Sequence, residues 1–273
     1  MTTCDLHYHA NMFGKSGSRL KSWAEAHHDC VRASKLDIIA STEHVYKNAL
    51  EAYLFLRGAI EDLPVAVIPG VEWISAEKVE IIFLFDCESS LKNALKILTP
   101  FGRSVWDLPE LRKDTGGLSV IPHPFTPGKT GAATNLGIDA FQRLLKSADY
   151  VEIHNGIARQ FEEILFFNLL KPAFPALRRK LEYTDNLPER YRPDEIGWSV
   201  GSDAHFPWEL TSAGVSENID REDWFERLRE RIHFTKTDLP FQKRPSARLK
   251  RNISNMLNVM DEARIKRRLR RGL

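Results

Sequence analysis

The chain has 273 residues, of which 42% are hydrophobic and 28% charged, with a formal net charge of +2. That balance excludes a disordered or collagen-like chain, and no run approaches the roughly eighteen apolar residues of a membrane span. The length suits one large α/β barrel domain. The three cysteines, Cys4, Cys30 and Cys87, form no close pair and read as buried, reduced residues. With no charged-then-apolar leader at the start, the expected location is cytoplasmic.

In chain order, Cys4–His9 alternates as a strand, and Trp23–Ala33 has helical character. Leu36–Ser41 reads as a buried strand, and Asn48–Glu61 as a helix stopped by Pro64. Val65–Ile68 and Glu80–Phe85 are further strands, followed by a helix over Ser90–Leu98. Leu118–Ile121 follows the punctuation of Gly116 and Gly117, Asp139–Lys146 reads as a helix and Tyr150–Ile153 as a strand. A helix over Ile157–Leu170, a proline-rich charged stretch and a last strand at Trp198–Gly201 complete the pattern. Seven strands separated by helical segments predict parallel pairing through βαβ crossovers: an α/β fold, a distorted seven-stranded TIM-like barrel over residues 1–240.

Residues 241–273 read as a basic, helical tail. Ile253, Leu257 and Met260 recur at helical spacing, and Lys243–Leu273 carries 11 Lys and Arg against 2 acids. Such a tail offsets a mildly acidic body and could follow a polyanion.

Each strand closes on potential metal ligands. His7 and His9 lie one residue apart and share a strand face, so two imidazoles reach one ion without bending the backbone. Asp5 is placed to hold a ring N–H from behind. Asp203 and His205 repeat the spacing at the last strand. Glu72 follows Pro69-Gly70, read as a turn that ends a strand, and is the natural bridge between two cations. His44, His123 and His154 complete the sphere. Singly, each motif also fits a packed structural histidine; the ordered set at barrel strand ends points to a metal site. A His and carboxylate set suits Zn, Mn or Fe rather than Ca or Mg, and its size suits two ions. His27 and His28, adjacent on a helix, cannot face one ion, so at least one is solvent-facing; His233 has no evident partner and reads as structural.

Asp5-Leu-His7-Tyr-His9, Thr42-Glu43-His44, Pro69-Gly-Val-Glu72, the His123 and His154 clusters and Gly201-Ser-Asp203-Ala-His205 together resemble the successive motifs of the PHP (polymerase and histidinol phosphatase) family over residues 1–215. The resemblance implies a distorted barrel with two or three divalent ions that cleaves phosphoesters. By position, His7, His9, Glu72 and Asp203 would hold the first metal, Glu72, His123 and His154 the second, and His44 with His205 the third. The chain departs from the family pattern with Glu43 where an Asp is usual, and with Lys15 and Ser16 where a third-metal ligand often stands.

The expected chemistry is attack on phosphorus by water activated between cations, with Glu72 and His205 as catalytic residues and His205 protonating the leaving oxygen. Lys129 and Arg159 are candidate phosphate clamps. The substrate would be a small phosphorylated molecule, a nucleotide or a nucleic acid end. Two other classes fit parts of the pattern: an amidohydrolase, which commonly needs a bridging lysine that no strand end supplies, and a non-catalytic nucleic-acid-binding module using the basic tail.

Overall fold

The computed structural model describes residues 1–126, 130–157, 191, 195–217, 219, 223–239, 260, 264–265 and 267. Among them run nine strands: β1 (Thr2–Tyr8), β2 (Ile38–Ser41), β3 (Ala66–Ile74), β4 (Glu80–Leu84), β5 (Leu118–Ile121), β6 (Tyr150–Asn155), β7 (Gly197–Gly201), β8 (Ser212–Ser216) and β9 (Thr235–Asp238). They form one sheet in the order β7-β6-β5-β4-β3-β2-β1-β8-β9. The helices that bear on the site are α1 (Gly17–Ser34) and α2 (Ala49–Ala59). Both cover β1 and β2, packing Val31, Ala52 and Leu56 with Tyr8 and Ile39 in one buried cluster.

The sheet nearly closes on itself through β1. Thr2–Cys4 pair antiparallel with β8, whereas the other end of β1 meets the segment after β7. There Asp203 N donates to His7 O (2.8 Å), His9 N donates to Ala204 O (3.0 Å), and Tyr8 and Ala204 form a parallel bridge. One edge of β1 thus serves two partners along its length, and His7, His9, Asp203 and His205 lie at the second seam.

The α/β, barrel-like architecture agrees with the sequence, but the expectation of seven parallel strands does not. Among the described residues there are nine, and β3–β4, β4–β5, β1–β8 and β8–β9 are antiparallel. The cause at β4 is length. Only Ser75–Val79 connects it to β3, closed by Ser75 N donating to Val79 O (2.9 Å), and a parallel return needs a crossover of about a dozen residues.

The expected turn at Pro69-Gly70 is also corrected. β3 runs straight through it, pairing with β2 up to Pro69 and with β4 from Gly70 onward. Pro69, which has no N–H to give, stands where the strand changes partner. A Cβ on Gly70 would stand 3.1 Å from Phe83 O, Leu84 Cδ2 and Thr42 Cγ2, so glycine permits the close approach. Glu72 therefore projects from a strand interior, fixed by Glu72 N donating to Glu43 O (3.2 Å).

Cys4 and Cys30 are buried as expected, but Cys87 is exposed. It precedes a short helix, where its Sγ lies 3.0 and 3.3 Å from the Ser89 and Ser90 hydroxyls. No described helix is long and apolar enough to cross a membrane. The proposed helix at Ile157–Leu170 and the basic tail lie, apart from isolated positions, outside the described residues.

Candidate metal centre

His7 and His9 project together from β1, as their spacing requires, and their Nε2 atoms stand 3.1 Å apart. Behind them each Nδ1 faces a carboxylate: Glu152 Oε1 at 3.1 Å from His7 and Glu43 Oε1 at 3.4 Å from His9. A carboxylate only accepts, so Nδ1 carries a hydrogen in both rings, and both Nε2 atoms point into the same space, where each can hold a proton or, in the neutral ring, offer a lone pair. Asp203 Oδ1 lies 3.3 and 3.2 Å from those two nitrogens.

Glu72 spans the group with its two oxygens divided. Oε1 lies 3.2 Å from His123 Nε2 and 3.7 Å from His7 Nε2. Oε2 lies 2.6 Å from His44 Nδ1 and 3.6 Å from His9 Nε2. His205 Nδ1 donates to the Asp203 carbonyl (2.9 Å), leaving its Nε2 directed at His44 Nε2, 3.5 Å away. All seven of these residues are buried.

The charges show what such a pocket demands. Burial opposes protonation of His7, yet Asp203, Glu152 and Glu72 raise its pKa; His9 is raised well above the usual histidine value by Asp203, Glu43 and Glu72 against the same burial. His123, likewise buried, is raised to about 10 by Glu72, Asp203 and Glu80. Burial pushes the other way on Glu72 and Asp203, but the imidazoles hold both well below the carboxylate range. A buried knot of carboxylates thus calls in positive charge, which protons or a divalent cation can supply.

Two nitrogens bound to one ion at about 2.0–2.1 Å stand roughly 3 Å apart, close to the His7–His9 separation. The donor set fits a metal. Four groups hold ligand atoms all within 4.8 Å of one another: His7, His9, Asp203; His7, Glu72, His123; His9, His44, His205; and His44, Glu72, Glu80.

His154 is the predicted ligand that enters none of these groups among the described residues. The β6–β7 register shifts between Glu152 and His154, and such an irregularity breaks the alternation that would place both on one face. Glu152 instead does the local work. Besides His7, it accepts from His123 N (2.7 Å) and Asn155 Nδ2 (2.9 Å), and the same amide reaches Asp203 Oδ2 at 3.2 Å.

Asp5 does not hold a ring N–H, because Glu152 takes that of His7. It accepts from His7 N (3.1 Å), Ser202 N (3.0 Å) and the Ser202 hydroxyl, and burial pushes its carboxyl up to about 7 against those bonds. Glu43 uses the extra length of its side chain to reach both His9 and Asn11 N, the latter at 2.7 Å. His123 and Asp203 both have positive φ (28° and 54°), a costly backbone conformation for residues other than glycine.

Glu80 was missed in the sequence. Because β4 runs antiparallel, its first residue rather than its last lies at the ligand end of the sheet, and Glu80 Oε2 comes within 3.7 Å of His123 Nε2. The other two histidine readings divide. His28 lies partly exposed beside Asp62, while His27 is fully buried, bonded to Tyr8 Oη (2.7 Å) and Ala10 O (2.9 Å). His233 has a partner after all, donating from Nε2 to Ile196 O (3.2 Å) and stacking on Trp198. Lys129 and Arg159 lie outside the described residues.

No family model matches the chain. It is similar to PsfC from Pseudomonas syringae, 18% identical with a TM-score of 0.57, across 93% of this chain and 98% of that one. It is also similar to the lesion-specific endonuclease Q of Pyrococcus furiosus, 14% identical with a TM-score of 0.51, across 84% of this chain and 55% of that one. An uncharacterised protein of Methanocaldococcus jannaschii is 28% identical over 159 residues, 57% of this chain and 54% of that protein. The chain thus spans about half the length of that curated relative. These likenesses are of fold, and the fold is of the PHP type.

Proposed function

We propose that the protein is a divalent-metal-dependent phosphoesterase acting on a phosphomonoester, a nucleotide or an oligonucleotide end. The observation that carries this reading is the gathering of the His7 and His9 Nε2 atoms with the Asp203 and Glu72 carboxylates, each ring held from behind by its own carboxylate. Fold alone does not assign chemistry; it is the donor set that favours a bound cation.

His7, His9, Asp203 and Glu72 would hold a first ion, with Glu72 and His123 serving a second. His44 and His205 flank a third position. Bound ions of the Mn, Zn or Fe type would supply Lewis acidity, lowering the pKa of water and neutralising charge on phosphoryl oxygens. Glu72 keeps the two halves of the donor set in register through its divided oxygens. His205 is fixed by the Asp203 carbonyl with hydrogen on Nδ1, so with the third position empty its Nε2 can take a proton and pass it to a leaving oxygen. Amidohydrolase chemistry commonly needs a bridging lysine, and the donor groups hold Glu72 and other carboxylates with imidazoles instead, which favours phosphoester over amide or lactone cleavage.

The test is metal analysis of the purified protein together with activity on phosphoester, lactone and amide panels. Phosphoester turnover is expected, and it is lost in His9→Ala and Asp203→Ala; unchanged turnover in both variants overturns the reading. Salt-sensitive nucleic acid binding that survives these substitutions, without turnover, would instead favour the binding-module alternative.

A further inference from the structure

The loops that leave the ligand ends of β1 and β7 carry an aromatic group that takes no part in holding the ligands. Phe206 directly follows His205 and stacks with Trp208 (5.1 Å between centroids, 28°). Trp23 of α1 stands edge-on to both, at 5.8 Å from Phe206 and 5.6 Å from Trp208. All three rings are partly exposed, whereas Trp73, Phe83 and Phe85 of the core are fully buried. Trp23 Nε1 donates to Ala10 O (2.8 Å), so the wall is fastened to the residue after His9.

A cation stands in the same place. Lys15 Nζ lies 4.4 Å over the Trp23 ring and donates to Asn11 O. Asn11 is tied in turn to the centre, its N–H donating to Glu43 Oε2 (2.7 Å) and its Nδ2 to His205 O (2.9 Å). Phe13, 62% exposed, lies on the same loop. An aliphatic phosphoester would use the cation and leave the exposed parts of the three rings in water. A flat base carrying a phosphate would use both, since base–aromatic stacking and charge act side by side.

We propose that the exposed side of the Phe206–Trp208 pair stacks the base of a nucleoside phosphate, with Trp23 edge-on beside it, while Lys15 meets a phosphate oxygen, which narrows the substrate to nucleotides or oligonucleotide ends. This rests on the phosphoesterase reading above. The base lies against the wall, and the ester is thereby presented to the donor set beside His205.

Two measurements test it. In the first, tryptophan fluorescence of the full chain, with chelator present so that no turnover occurs, is titrated with adenosine monophosphate, a short single-stranded oligonucleotide and ribose phosphate. Saturable quenching by the first two but not the third is expected, with much of its amplitude lost in Trp208→Leu. Equal quenching by ribose phosphate overturns the proposal. In the second, kcat/KM is compared between adenosine monophosphate and glycerol phosphate. The ratio should fall about tenfold in Trp208→Leu and in Phe206→Leu, while Lys15→Met lowers both values. A ratio equal to that of the unaltered protein in both leucine variants overturns it. A preference for the oligonucleotide over the mononucleotide supports it and identifies the nucleic acid end as the source. If no phosphoester is turned over but base-specific quenching persists, the phosphoesterase reading fails and the rim stands as a nucleoside phosphate site.

Discussion

His7 Nε2 and His9 Nε2 face each other at 3.1 Å, with neither ring free to turn away. Glu152 and Glu43 hold the opposite edges, so the pair cannot relax by rotating one imidazole. Two neutral rings held this close would set lone pair against lone pair, and a proton or a divalent cation in the shared space removes that repulsion.

If ions reside there, removing them should loosen the folded state. Chelation is expected to lower the thermal unfolding midpoint by several degrees, with recovery on adding Mn or Zn. A ligand at a hundredfold excess over its Kd stabilises by about 2.7 kcal/mol when it binds only the folded form. Scanning calorimetry with and without chelator reads this directly, and an unmoved midpoint argues against resident ions.

Glu152→Gln and Glu43→Gln keep side-chain size but remove the charges that orient His7 and His9. Metal affinity should fall about 10–100-fold in each, the usual cost of losing such a partner. Calorimetric titration of the stripped proteins measures it. Glu43→Asp should also weaken binding, because the shorter side chain cannot span His9 and Asn11 together.

Gly201→Ala tests how tightly β7 approaches the ligands. A Cβ at that position would collide with the His7 Cβ and Glu152 Oε1. Destabilisation of about 1–3 kcal/mol is expected from overpacking, and metal content should drop with it. Urea denaturation and metal analysis of the same preparation separate the two effects.

His27 gives the fold an acid-sensitive point away from the ligands. Burial lowers its pKa from 6.5 to about 3, with the Ala10 carbonyl only partly offsetting. Below 6.5 the unfolded chain takes up a proton that the folded chain refuses, so stability falls with pH down to about 3. Above that window its contribution is fully present. His27→Gln should flatten this part of the stability curve by a few kcal/mol, measured by denaturation at a series of pH values; an unchanged slope would assign the acid sensitivity elsewhere.

Much of the centre was legible because strand parity is a local rule. His7 and His9 had to share a face, and the ordered strand-end motifs indicated a barrel-like sheet. What escaped depended on where strands change partners. The switch at Gly70 turned a supposed loop residue, Glu72, into a strand residue. The antiparallel return of β4 brought in Glu80 from the wrong end of its run. The irregularity between Glu152 and His154 separated two residues that spacing alone would pair. The burial of His27 and the exposure of Cys87 were equally out of reach, since both depend on which helix face meets the sheet.

The double use of β1 has a consequence for how the molecule is made. β1 finds partners far along the sequence: Asp5 and Ser202, which join the seam, are 197 positions apart. Contacts of such long sequence separation are slow to form. A nascent or truncated chain that has not yet delivered residues 201–205 would present His7 and His9 without Asp203, and so would lack the assembled donor set. Any metal captured by this donor set would in this way have to wait until residues 201–205 are in place, so that loading would follow assembly of the seam.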